Sequence, residues 1–111
     1  DLLQQRHSEG GVALKVRNHI LGSIDQGINM ESIAKKMCVS LRTLRRQLSS
    51  ENTSFRMLMD EVREFLALEL IQGTSLSMEQ ISYRLGYSDT ANFFHAFKRW
   101  KGKPPNHFRR R

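Results

Sequence analysis

Residues 78–109 constrain the fold of this 111-residue chain more than any other stretch. Ser77 precedes a short amphipathic run, and Gln80 follows it by three residues. That is the spacing of a capping box, in which each side chain satisfies a backbone amide of the other. Ile81 and Leu85 give an apolar stripe at i, i+4. Gly86 breaks it, since glycine takes the left-handed backbone of a sharp turn without a Cβ penalty. Tyr87 is placed to pack under that turn, and Ser88 or Asp89 to cap a second helix. The second helix carries Phe93, Phe97 and Trp100 on its inner face at i, i+4, i+7. Thr90, Phe94, Lys98 and Lys101 form its outer face, with Ala91 and His95 beside them. Gly102, Pro104 and Pro105 end it.

A short helix, a glycine turn and a longer helix with an aromatic inside and a basic outside have the form of a helix-turn-helix unit, whose second helix enters the DNA major groove. Gly86-Tyr87-Ser88-Asp89, Phe93, Ala96-Phe97-Lys98-Arg99, Gly102, Pro105 and Phe108-Arg109 also resemble, in fixed register, the C-terminal signature of the AraC/XylS family of bacterial transcription regulators. The resemblance implies an all-α DNA-binding domain of about this length. It would hold two helix-turn-helix subdomains joined by a long central linker helix, about seven helices in all. It also implies double-stranded DNA as partner, RNA polymerase as a second partner, and a separate N-terminal effector or dimerisation domain. An activator acting on the nucleoid in the cytoplasm is the matching biology.

Composition narrows the alternatives. Lys and Arg number 18 against 11 acids, a net charge of +7 that favours an anionic partner. Hydrophobic residues make up 39%, enough for one modest core and too many for a disordered chain. No apolar run approaches the roughly 18 residues of a membrane span, and no signal peptide is visible. One cysteine excludes an internal disulfide and suits a reducing compartment. A chain that opens on Asp1 reads as part of a longer protein.

In chain order, residues 1–11 read as a polar linker tail ending in Gly10-Gly11, and residues 12–111 as the domain. Unit one occupies about 12–52, the linker helix about 54–72 and unit two about 77–109. Val12, Val16, Ile20 and Ile24 recur at four-residue steps, and Gly27 closes that first helix or its turn. Asn29 caps a helix that buries Ile33, Ala34 and Met37, and Cys38-Val39-Ser40 make a turn. The helix at about 41–50 buries Leu41, Leu44 and Leu48. Ile33, Ala34, Met37, Cys38, Val39 and Ser40 match Ile81, Ser82, Leu85, Gly86, Tyr87 and Ser88 at an offset of 48, the mark of a duplicated unit. Past the turn the match blurs, with Leu44 opposite Asn92. The linker helix buries Phe55, Leu58, Val62, Phe65, Leu66 and Leu70, capped by Thr53 or Ser54 and stopped by Gly73. Arg63, Ala67 and Ile71 fall where the resembled family has Arg, Ala and an aliphatic residue. Nineteen residues span roughly 28 Å, against about 34 Å between major grooves on one face of B-DNA, so a bound duplex is expected to bend.

The reading helices fall at about 41–50 and 89–101. On the first, Arg42, Arg45, Arg46 and Ser49 share the outer face, and arginine can donate two hydrogen bonds to guanine. Arg46 is the best single base contact, on the resembled family's groove face. Ser40 and Thr43 suit phosphate at a helix N-terminus. On the second, Thr90, Ala91, Phe94 and His95 are the candidate base contacts, and Ser88 and Lys98 the phosphate contacts. The resembled family has a small hydroxyl residue at Phe94 and Arg at His95. Phe94 either packs on a thymine methyl or folds sideways onto the protein. His95 either donates to the DNA or is a surface residue without a role. Pro104-Pro105 start a last short helix; Phe108 packs inward, and Arg109, Arg110 and Arg111 add phosphate-attracting charge, unless the last two trail as a basic end.

Enzyme chemistry finds little footing. His7, His19, His95 and His107 lack metal-ligand spacing, no phosphate loop or catalytic triad is present, and no cofactor is implied. Cys38, next to Val39, reads as a small buried residue before it reads as an alkyl-transfer or redox nucleophile. A sequence-blind nucleoid-type binder is the main alternative, keeping the phosphate term and losing base discrimination.

Overall fold

The structure is a computed structural model that describes residues 11–109. These residues form six α-helices and two 3₁₀ turns, with no strand among them. α1 is Val12–Ser23, followed by a 3₁₀ turn Ile24–Gln26 that Gly27 closes with φ 68°. α2 is Met30–Lys36, α3 Leu41–Ser50, α4 Phe55–Gly73, α5 Met78–Arg84 and α6 Thr90–Lys101. A second 3₁₀ turn, Pro105–Phe108, follows. The expected all-α class with paired helix-turn-helix elements is what the chain adopts, with the last helix shortened to a 3₁₀ turn. The tail 1–10 and Arg110 and Arg111 lie outside the described residues. No helix among the described residues is long and apolar enough to cross a membrane.

The chain divides into two compact units. Residues 27–62 and α1 make the first, and residues 24–26 with 63–109 the second, so the first part of α4 belongs to one and the remainder to the other. Ser54, not Thr53, caps α4, its Oγ accepting from Met57 N–H at 3.2 Å.

In the first unit α1 and α2 both pack against α3. Ala13, Val16, Ile20, Ile33, Ala34, Leu44, Leu48, Leu58, Met59 and Val62 are its buried apolar side chains. The expected stripe on α1 is shifted: Val12 is half-buried while Ala13 and Arg17 are buried. Leu41, expected inside, is half-buried because it opens α3 at the edge of the core. Arg17 is 1% exposed, and its Nη2 pairs with Glu61 Oε1 at 3.0 Å. Nothing in the 3.6-residue pattern marks a charged residue for burial, and it is tolerated only because a carboxylate meets it.

The second unit is built on Ala67, Ile71, Ile81, Leu85, Phe93 and Phe97. Phe93 and Phe97 meet edge to face with centroids 5.9 Å apart, and Phe97 meets Phe108 at 5.4 Å and Trp100 at 6.2 Å. The capping box of Ser77 and Gln80 is present, and Asp89, not Ser88, caps α6. Arg63 clamps the turn: its Nε donates to Leu85 O at 3.1 Å and its guanidinium lies 4.5 Å from the Tyr87 ring centroid. Arg109, expected to face phosphate, instead donates Nε to Ile71 O at 3.1 Å, because the last turn of α4 leaves carbonyls without helical partners.

The duplication is visible in the backbone. In α2, the N–H groups of Met37, Cys38 and Val39 donate to the carbonyls of Ile33, Lys35 and Ala34. In α5, those of Leu85, Gly86 and Tyr87 donate to Ile81, Tyr83 and Ser82, the same pattern 48 residues on. The caps that follow are Ser40 and Asp89, which are 49 apart. The second turn therefore carries one extra residue, and that insertion caused the sequence match to blur. Realigned at 49, Leu44 stands opposite Phe93 and Leu48 opposite Phe97, all buried; Ser40 corresponds to Asp89 rather than Ser88.

Both turns need a left-handed residue. Gly86 has φ 88°, and a Cβ there would lie 2.7 Å from the Ile24 carbonyl oxygen, so only glycine fits. Cys38 holds the matching place with φ 60° and is exposed, not buried as its size suggested, since it sits on the outside of the turn. A side chain in this conformation is strained by about 1–2 kcal/mol, partly offset by the freedom glycine adds to the unfolded chain. Cys38→Gly is expected to raise stability by about 0.5–1 kcal/mol and the melting midpoint by roughly 2–6 °C. A lowered midpoint in thermal denaturation would show that the left-handed strain is not felt.

Candidate nucleic-acid interface

The candidate reading faces follow from how α3 and α6 are anchored. Leu44 and Leu48 fix the inner side of α3, and Phe93 and Phe97 that of α6. At roughly 100° per residue, Arg46 lies about 160–200° from both leucines, Arg42 about 120–160° and Arg45 only about 100° from Leu44. All three arginines and Ser49 are exposed. None of the three makes a hydrogen bond or ion pair among the described residues. The hydroxyls ahead of them serve the helix start: Ser40 Oγ accepts from Thr43 N–H at 3.0 Å and donates to Thr43 Oγ1 at 3.0 Å. The hydroxyl hydrogen of Thr43 is what remains for an anion.

On α6 the same arithmetic puts His95 at the centre of the outer face, Ala91 and Arg99 on either side of it and Lys98 nearer the margin, all exposed. Thr90 and Lys101, expected on that face, are half-buried at its margin, and Lys101 Nζ pairs with Glu64 Oε2 at 3.0 Å. Phe94 takes the sideways arrangement. It is packed against the core of the second unit, its ring edge-on to Phe93 at 5.9 Å. Its counterpart at the 49-residue offset is Arg45. Ser88 is exposed beside the capping Asp89, whose Oδ1 accepts from Asn92 N–H at 2.8 Å. Arg99 stands outside the expected contact set, yet it is exposed next to Lys98 in the last turn of α6. Its signal was its spacing, four residues after His95.

The two faces thus differ in chemistry. α3 offers fixed forks of donors for guanine or phosphate. α6 offers a methyl group, an imidazole and two cations near its C-terminal end. Among the described residues no three His, Cys, Asp or Glu side chains come together as a metal site.

Comparison with known proteins agrees with this geometry. A helix-turn-helix domain family profile matches residues 33–111. An uncharacterized helix-turn-helix-type transcriptional regulator of Mycobacterium tuberculosis is 36% identical over 110 residues, 99% of this chain and 32% of that protein. The chain spans about a third of the length of the curated relatives it matches. The transcriptional regulator CdpR of Pseudomonas aeruginosa superposes with a TM-score of 0.82 at 35% identity, over 89% of this chain and 31% of that one. A DNA-binding transcriptional dual regulator of Escherichia coli K-12 gives 0.85 at 25% identity over 90% of both chains. With two turns of one hydrogen-bonding pattern, each followed by a helix with an exposed outer face, the chain belongs to the AraC/XylS family of helix-turn-helix transcription regulators, as its DNA-binding domain.

Proposed function

We propose that this domain binds double-stranded DNA sequence-specifically to regulate transcription, with α3 and α6 in successive major grooves. The observation that carries this is the exposed arginine face of α3, set behind a turn that recurs in α5. Arg42, Arg45 and Arg46 are assigned to bases, with Arg46 foremost. Ala91 and His95 are assigned to bases on α6, and Thr90 and Phe94 to its margin. Ser40, Thr43, Ser88 and Lys98 are assigned to phosphates. RNA polymerase, and an effector or dimerisation domain elsewhere in the protein, are the further partners this reading implies, and the cytoplasmic nucleoid is its place of action. No residue is assigned a catalytic role.

The outer face of α6 is poor in fixed hydrogen-bond donors, which favours a second reading in which unit two grips phosphate alone. Selecting bound duplexes from a random pool near physiological salt separates the cases. Two enriched blocks about one helical turn (~10 bp) apart are expected for a bipartite reader. One block means that unit two supplies only the salt-sensitive phosphate term. No enrichment, with affinity still collapsing as salt rises, would establish a sequence-blind binder.

A further inference from the structure

The first unit holds a long-range contact that the DNA-facing residues do not use. Among the described residues α1 has no neighbouring side chain to cap it. Gly11 occupies the capping position, and its carbonyl accepts from Leu14 N–H at 3.1 Å and Lys15 N–H at 3.3 Å. The first two amides of the helix remain, as at any helix start. One distant carboxylate takes both. Val12 N–H donates to Glu51 Oε2 at 2.8 Å and Ala13 N–H to Glu51 Oε1 at 2.9 Å. Glu51 is also the residue that terminates α3, its own N–H donating to the Leu48 and Ser49 carbonyls. Gly11 leaves room for this: a Cβ there would stand 2.8–3.0 Å from the carboxylate group.

We propose that Glu51 is a positioning residue for the first reading helix. By tying the end of α3 to the first turn of α1, it fixes the angle at which α3 presents Arg42 and Arg46. This rests on the proposed reading of DNA by α3. Among the described residues these two hydrogen bonds are the only ones that join α1 to α3. They are charge-assisted, and they meet the positive end of the helix dipole with both donors fixed in the backbone. Apolar packing lets one helix slide on another; a carboxylate held by two amides does not. α1 is itself anchored, because Arg17 on its buried side is paired with Glu61 of α4. Glu51 therefore transmits a fixed reference to the reading helix.

The test separates capping from positioning. Glu51→Ala removes both. Adding Gly11→Ser restores a local cap, because serine is a favoured capping residue and the carboxylate that excludes a Cβ is then gone. Thermal midpoints and random-pool selections are compared for the full chain, Glu51→Ala and the double variant. Glu51→Ala is expected to lower the midpoint by roughly 4–8 °C, and the added serine to recover most of it. The double variant should still enrich the α3 block, identified as the one that Arg46→Ala perturbs, about tenfold less than the parent chain. The α6 block should not change.

Recovery of the midpoint together with the α3 block would overturn the proposal and leave Glu51 a helix cap. If the double variant does not fold, Gly11→Ala displaces the carboxylate in an otherwise intact chain. A weakened α3 block is then expected, and an unchanged one overturns the proposal. A parent chain that enriches no block removes the DNA reading and this inference with it, an outcome distinct from failure of the positioning role alone.

Discussion

Phe97→Ala is expected to destabilise the domain by about 3–5 kcal/mol, enough to leave the second unit largely unfolded near 37 °C. Phe97 is 0% exposed and touches three other aromatic rings, those of Phe93, Trp100 and Phe108. Its loss removes the transfer energy of a large side chain and opens a cavity that rigid rings cannot close. The damage spreads along the chain. Phe108 sits beside Arg109, whose bond to Ile71 O closes the end of α4. Urea denaturation followed by circular dichroism measures the effect. A loss under 1 kcal/mol would mean that the aromatic cluster is not the unit's core. Phe94→Ala, which removes a half-buried ring at the margin, should cost clearly less.

Arg46→Ala should act on DNA alone. Arg46 is exposed and has no bond to other described residues, so the midpoint should move little. If Arg46 forks onto guanine, discrimination at one base pair falls by about 1–3 kcal/mol, or roughly 5–150-fold, and selection relaxes at that position only. If it holds phosphate instead, affinity falls evenly across sequences and the salt slope shrinks by about 1. Binding that is unchanged in both affinity and base choice would remove Arg46 from the interface. Arg45, nearer the buried side of α3, is expected to contribute less.

What could be read from the sequence was whatever repeats with the period of a helix. Ser77 with Gln80, Asn29, the stripe of Leu44 and Leu48, and the aromatic pair Phe93 and Phe97 each advertise themselves by spacing. The helix bounds of α3 and α6 followed closely from them. Contacts between distant residues carry no such period. Arg17 with Glu61, Glu51 with the start of α1, and Arg109 with Ile71 join positions 38–44 residues apart, and each involves a charged group that composition alone assigns to solvent. The outermost side chains of α6 were harder to read for a different reason. Thr90, Phe94, Lys98 and Lys101 form a true stripe, but Thr90, Phe94 and Lys101 are half-buried, and Ala91, His95 and Arg99 stand furthest from Phe93 and Phe97. The extra turn residue hid the correspondence that would have revealed this.

That extra residue also limits how the two reading heads can be exchanged. A graft carrying the three arginines of α3 onto α6 must land on Ala91, Phe94 and His95, at an offset of 49 and not 48. Ala91 and His95 are open to it. Phe94 is half-buried against the edge of the aromatic core, so an arginine there would give up its ring contact with Phe93. The second unit accepts two of the three arginines without loss of packing, and the third only at the expense of that contact.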